Sequence, residues 1–295
     1  PSENMMTIKR RDFLKVSAAS CLIPSVIMSQ QVVAAESSTK LQLGLVTYNW
    51  GKDWDVPTII KNCIATNFEG VELRSTHQHG VEITIDKMQR QEVKRQFKDS
   101  SIELVGLGSA CEYHSSDPDV LKKNIEETKA FVRLCKDVGG SGVKVRPNGF
   151  PKGVPIEKTL EQIGKSLNIV GKDAADYGVQ IRVEVHGRGT SEIPHIKTIM
   201  DIADHPNVAV CWNCNPTDLA GDGLEKNYKS LQDRIGTIHI HDLRNENYPW
   251  KELFPLLKET ETPNFTGWCL LEEGKVPEDI VQAMHENKNV WDTLK

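Results

Sequence analysis

Apolar residues along this chain fall into two alternating patterns. Near-continuous apolar runs occur at Leu41 to Tyr48, Gly70 to Arg74, Ile102 to Leu107, Gly142 to Arg146, Gln180 to Val185, Val208 to Trp212, Gly236 to Ile240 and Trp268 to Leu271. Runs of this kind belong to strands covered on both faces. Between them, apolar residues recur at three and four spacing over Val56 to Thr66, Ile85 to Lys98, Asp119 to Val138, Ile156 to Tyr177, Glu192 to Ala203, Leu224 to Arg234, Trp250 to Glu259 and Pro277 to Leu294. That period predicts helices with one buried face. Asp117-Pro118-Asp119 and Val276-Pro277-Glu278 supply start signals, and Gly139-Gly140 and Gly178 supply stops.

Eight strands alternating with eight helices demand a parallel sheet, and eight such units in about 255 residues match the size of a closed barrel. The predicted fold is α/β, a single (β/α)8 TIM barrel. A doubly wound open sheet is the alternative, but no Gly-x-Gly-x-x-Gly turn follows the first strand, which ends Tyr48-Asn49-Trp50-Gly51. No linker or low-complexity tract interrupts the alternation.

Four of the strand runs carry a polar side chain near the C-terminal end: Glu184 in IRVEVHG, Asn213 just after VAVCW, His239 in TIHIHD and Glu272 after WCLL. In a parallel barrel the active site lies at that end. Arg182, Glu184 and His186 share one strand face, as do Thr237, His239 and His241, which points both sets inward. Two carboxylates, an imidazole and an amide oxygen suit one divalent ion, Mn²⁺ or Mg²⁺ before Zn²⁺. Glu273 has the parity that directs it away from the interior.

The N-terminus adds an address. Lys9-Arg10-Arg11-Asp12-Phe13-Leu14-Lys15 runs into a weakly apolar, uncharged stretch from Val16 to Ala35, the pattern of a twin-arginine export signal. Met5 or Met6 is the expected initiator, and Val33-Ala34-Ala35 offers a cleavage site. Residues 1–35 are therefore assigned as signal and upstream sequence, 36–295 as the barrel, and the location as periplasmic. No stable membrane anchor is expected; a lipoprotein at Cys21 is the weaker alternative, because Ala18-Ala19-Ser20 lacks the large aliphatic residue such sites carry. The mature part keeps 32 of 36 basic and 39 of 41 acidic side chains, losing Lys9, Arg10, Arg11, Lys15, Glu3 and Asp12, for a net charge of −7. That sign disfavours nucleic acid and anionic membranes as partners. A homo-oligomer is compatible with the chain. Six of the seven cysteines lie in the mature part, and folded export from a reducing cytosol makes free buried thiols the expectation, including at Cys211-Trp212-Asn213-Cys214.

In order and spacing, Glu184 of Val183-Glu184-Val185-His186, Asn213 of Cys211-Trp212-Asn213, His239 of His239-Ile240-His241-Asp242 and Glu272 of Gly267-Trp268-Cys269-Leu270-Leu271-Glu272 resemble the xylose isomerase-like barrel superfamily. The resemblance is to its sugar phosphate isomerase/epimerase group, which includes ketose 3-epimerases, and it covers the whole mature chain. Two positions depart from the family pattern: its Asp is Asn213, and a following His is Pro216. The resemblance implies one divalent metal held by Glu184, Asn213, His239 and Glu272, with fewer carboxylates than usual to offset it.

The chemistry follows from the residues. A proton beside a carbonyl is hard to remove unless the enediolate is stabilised, which a Lewis-acidic metal does. Glu184 and Glu272 on either side of a sugar would form an acid/base pair. Reprotonation of the opposite face gives epimerisation, and of the neighbouring carbon, isomerisation; loss of a β leaving group makes a lyase, or a hydratase in reverse. Export and the lack of a phosphate loop point to an unphosphorylated sugar or keto-sugar, with a lyase or hydratase of 3-keto-glycosides as runner-up. A non-catalytic sugar-binding barrel is favoured only by Asn213 and Pro216, and a nuclease of this barrel type is disfavoured by the acidic charge. Arg146, His186 and Arg244 at strand ends, with His77 and Glu112 in the loops above strands two and three, are the expected substrate contacts. Lys144 and Arg182 are expected in internal ion pairs, Glu72 with Arg74, and Trp50, Trp212 and Trp250 are candidates for sugar stacking, Trp212 with the wrong parity. His195, His205 and His285 read as surface.

Overall fold

The computed structural model describes residues 40–295. The twin-arginine segment, Cys21, the cleavage site and the first residues of the mature chain lie outside the described residues. The strands are β1 (Gln42–Val46), β2 (Gly70–Arg74), β3 (Glu103–Glu112), β4 (Gly142–Arg146), β5 (Gln180–Glu184), β6 (Val208–Trp212), β7 (Ile235–Ile240) and β8 (Trp268–Leu271). The helices are α1 (Val56–Thr66), α2 (Lys87–Lys98), α3 (Pro118–Val138), α4 (Ile156–Tyr177), α5 (Ile193–Ile202), α6 (Leu224–Leu231), α7 (Trp250–Lys258) and α8 (Ile280–Leu294). Each strand pairs in parallel with the next, and β8 closes on β1. This is a (β/α)8 TIM barrel, as the alternating periods require.

Local chemistry explains the element ends. Asp117 accepts from the backbone N–H groups of Asp119 and Val120, with Pro118 at the first helical position of α3. Gly139 and Gly178 end α3 and α4 in the left-handed region, where glycine carries no Cβ penalty. α8 begins later than the Pro277 signal suggests, because Asp279 is the residue whose carboxylate takes the Gln282 N–H at 2.9 Å. β3 runs on to Glu112, through an irregular register opposite β4, so Cys111 and Glu112 are strand rather than loop. α4 shows the usual packing: Leu160, Ile163, Leu167, Val170 and Ala174 form one buried stripe against the barrel. Each fully buried aliphatic side chain there stabilises by about 1.5–3 kcal/mol.

The barrel interior is unusually charged. Arg182 is buried and donates to Gln180 Oε1, the Val105 carbonyl and Ser141 Oγ at 2.9–3.0 Å. Its guanidinium occupies the volume over Gly106 and Gly142, where a Cβ would stand 3.0 and 2.3 Å from it. Arg182 thus rests on neutral acceptors rather than in the expected ion pair. Trp50, Trp212 and Trp250 are all buried; Trp50 Nε1 donates to the Lys275 carbonyl and Trp212 Nε1 to Tyr248 Oη, so none is a stacking platform. The six described cysteines are free and buried. Among the described residues, no helix is long and apolar enough to cross a membrane.

Behind β6 a buried chain runs from Trp212 Nε1 through Tyr248 Oη to Asp218 Oδ2, the last step 2.9 Å, while Asp218 Oδ1 has no partner. Burial lifts the Asp218 carboxyl from 3.8 to about 7, against the Tyr248 hydrogen bond. Because the folded value is the higher one, the protonated fold is favoured fully below pH 3.8 and that advantage is lost as pH rises to about 7. Urea unfolding at pH 4.5 and 7.5 should show the wild type losing roughly 2–4 kcal/mol more than Asp218→Asn over that interval. Equal losses in the two proteins would place the titration elsewhere.

Candidate metal centre

Closure of the barrel brings the strand ends onto one axis. Glu184 is the last residue of β5, Asn213 follows β6, His239 is next to last in β7 and Glu272 follows β8. Ligand atoms of Glu184, His239 and Glu272 all lie within 4.8 Å of one another. His239 Nδ1 is 3.5 Å from Glu272 Oε2 and 4.0 Å from Glu184 Oε1. Asn213 Nδ2 donates to Glu184 Oε1 at 3.2 Å, which turns Oδ1 the other way, buried and without a partner. Glu273 points aside, accepting the Asp242 N–H.

Two further charges reach the same place. Lys144 Nζ, on β4, donates to Glu184 Oε2 at 2.7 Å, both side chains almost fully buried, the internal ion pair expected of it. Removing one partner of such a pair strands the other at about 3–5 kcal/mol. Glu72, on β2, does not pair with Arg74: its Oε1 lies 3.3 Å from His239 Nε2. Arg74 instead leans over the Tyr48 ring, 5.5 Å to its centroid. Glu72 is the member of the centre that sequence reasoning missed. Its signal was the one that exposed the other four, a carboxylate inside an apolar strand, but an arginine two residues on offered a simpler partner.

His239 therefore has a carboxylate at each nitrogen. Glu72 faces Nε2, while Glu184 and Glu272 face Nδ1. A proton on Nε2 directed at Glu72 leaves the Nδ1 lone pair for a cation, the arrangement by which a carboxylate orients a ligating imidazole. Burial opposes charge on His239, but Cys211 and the carboxylates of Glu72 and Glu272 raise it well above the ordinary value. Burial likewise works against Glu272, yet His239 and Lys144 bring it down to about 2. Burial opposes Lys144, and Glu184, Glu272 and Glu72 reverse that and keep it charged. The residues fit a divalent cation: with Nε2 turned to Glu72, His239 Nδ1 and Asn213 Oδ1 are buried and lack hydrogen-bond partners. Glu184, His239 and Glu272, with Asn213 Oδ1, are the groups that would hold it.

The remaining expected contacts divide. His186 stands one inward position above Glu184, half-buried with Nδ1 unpartnered; burial first, then Arg146 and Lys144, keep it below its usual value despite Glu184. Arg146 and Glu112 are half-buried and bonded to each other at 2.5 Å, with Asn148 Nδ2 on the same Glu112 oxygen. His77 is half-buried beside Arg74. Arg244 is exposed and tied to Asp242 and Glu286, which draws its guanidinium away from the centre. His241, on the inward face of β7, holds the rim together: Nδ1 lies 2.8 Å from the Glu272 carbonyl and Nε2 2.9 Å from that of Asn213.

A model of the xylose isomerase-like TIM barrel family matches residues 60–290. No curated protein sequence matches the chain. Among solved structures it is similar to 3-keto-D-glucoside 4-epimerase from E. coli, at 14% identity and a TM-score of 0.72, over 86% of this chain and 100% of that one. D-allulose 3-epimerase from Methylomonas sp. aligns at 16% identity and a TM-score of 0.72, over 88% and 99% of the two chains. The IOLI protein, whose structure holds a zinc atom, aligns at 16% identity and 0.71, over 86% and 98%.

Glu72→Gln keeps the shape beside His239 Nε2 but removes the charge. Titration calorimetry with Mn²⁺ should show roughly 10–100-fold weaker binding in that variant. Because His239 carries a raised proton affinity before a cation arrives, binding should release a proton and weaken as pH falls. Calorimetry in buffers of different ionisation enthalpy reads that release; no buffer dependence at pH 6–7 would contradict it.

Proposed function

The chain belongs to the xylose isomerase-like TIM barrel family, and from that premise we propose that it is a divalent-metal-dependent epimerase or isomerase of an unphosphorylated sugar. The observation that carries the proposal is the convergence of Glu184, His239 and Glu272 within 4.8 Å at the C-terminal end of the barrel, where barrels of this kind do their chemistry. The neighbours that are sugar epimerases support the same class.

When bound, a divalent ion would supply Lewis-acid stabilisation of negative charge on the substrate oxygens, Mn²⁺ or Mg²⁺ suiting the oxygen-rich donors better than Zn²⁺. The protein residues do the proton work. The Glu272 side chain is 13% exposed, the most open of the three, so it is the carboxylate best placed to reach the proton beside the carbonyl. Glu184 stands on β5, three strands from β8 in the closed order, and would meet the opposite face of the sugar. The Lys144 ammonium fixes one Glu184 oxygen and leaves the other directed at the centre. Proton return to the far face inverts the carbon; return to the adjacent carbon moves the carbonyl. His186, held neutral, and Arg146 at the mouth are placed to bind hydroxyls. The Lys9-Arg10-Arg11 segment supports export by the twin-arginine route and a periplasmic location, where unphosphorylated sugars are the available substrates.

Incubation of the Mn²⁺-loaded protein with candidate sugars in D₂O should place deuterium on the reacting carbon. Glu272→Gln should lower kcat by about 10²–10⁴-fold while still binding sugar. Product without label, or unchanged turnover in Glu272→Gln, would overturn the mechanism. An unsaturated product would move the assignment to the lyase or hydratase alternative.

A further inference from the structure

Beside the centre lies a cavity of about 660 Å³ that the proposed chemistry does not use, lined by His114, Ser115, Ser116, Asn148, Phe150 and Arg188 together with backbone of the same loops. It sits above the C-terminal ends of β3, β4 and β5, on the Glu184 side of the barrel mouth. Arg146 and His186 follow Lys144 and Glu184 by two residues, at the ends of the strands whose loops line the cavity. Its volume lies within the range of small-molecule sites, roughly 300–1,000 Å³.

The walls are built rather than incidental. Asn148 and Gly149 have φ of 61° and 128°, and Gly187 and Gly189 of 96° and 80°. A Cβ on Gly187 would stand 2.6 Å from Asn148 Cα, so the β4 and β5 loops touch backbone to backbone. Phe150 packs on bare Gly189, where a Cβ would come within 3.0 Å of the ring, and meets the edge of His195 at a centroid distance of 5.2 Å. His195 is in turn 2.8 Å from the Gly189 carbonyl. It is a half-buried support for Phe150, not the plain surface residue its helix position suggested. Phe150 stays half-buried, with part of its ring on the cavity.

Around that ring stand hydroxyls, an amide and a guanidinium. Glu112 gives one oxygen to Arg146 and Asn148, and its other oxygen lies 3.7 Å from His114 Nδ1. Arg188 is exposed and makes no ion pair among the described residues. An apolar ring face beside several hydrogen-bonding groups matches a sugar, which presents C–H on one face and hydroxyls at its edge. We infer that this cavity is a subsite for a second sugar ring, so that the substrate is a disaccharide or other glycoside whose reacting ring carries the carbonyl, rather than a free monosaccharide. The inference rests on the function proposed above.

Titration calorimetry of the Mn²⁺-loaded full chain tests it. The ligands are methyl glycosides of glucose, galactose, mannose and xylose, against disaccharides carrying the same residue at the non-reducing end. At least one disaccharide should bind about tenfold more tightly than its methyl glycoside. Phe150→Ala should shrink that ratio by roughly 2–12-fold, the worth of one aromatic contact, and Phe150→Trp should restore it. Each ratio is measured within one variant, so a general loss of folding cannot imitate the effect. Equal affinities, or a ratio indifferent to Phe150→Ala, overturn the subsite alone. Binding of no sugar while Mn²⁺ binds normally overturns the proposed function as well.

Discussion

The constraint that governs this structure is the burial of ionised groups inside a barrel that excludes water. Three carboxylates, Glu72, Glu184 and Glu272, face Lys144 and His239 within a few ångströms, and Arg182 lies on the interior below them. A single charge so placed would cost several kcal/mol to desolvate. Together the groups satisfy one another in part, and the part left over is informative. His239 Nδ1 and Asn213 Oδ1 remain without hydrogen-bond partners, and a cation held among Glu184, His239 and Glu272 would complete the balance.

The same constraint explains why Asn213 is tolerated where the family pattern has a carboxylate. Glu72 contributes a negative charge from the opposite wall, and Lys144 contributes a positive one beside Glu184. Another carboxylate at position 213 would add to a cluster that already holds three. The amide would keep an oxygen donor without the charge, and its N–H bonds Glu184. The departure from the family pattern therefore alters the charge of the centre more than its geometry.

Above this interior the loops do different work. His241 joins the ends of β6 and β8 through two carbonyls, and Glu112, Arg146 and Asn148 join β3 to β4. These contacts hold the rim on which a substrate would rest. The centre is set by strands, and the rim by loops, whose shape depends on a few positive-φ residues and on glycines that let backbones touch.

Hydrophobic periodicity determined the eight strands and the eight helices, because a run buried on two faces and a stripe buried on one leave different spacings, and the number of units made a closed barrel the expected sheet. Strand parity also determined that Glu184, His239 and Glu272 face inward, since alternate side chains must take opposite faces. Only the tertiary structure decided which inward groups meet. Glu72 could reach Arg74 along its own strand, yet closure of the barrel set it against His239, far away in sequence. Arg244 follows the seventh strand and still turns outward, because Asp242 and Glu286 hold it. The Phe150 platform needed Gly189 and His195 from another loop and helix. Pairings between distant strands and loops depend on register and rotamer, which short-range spacing does not encode.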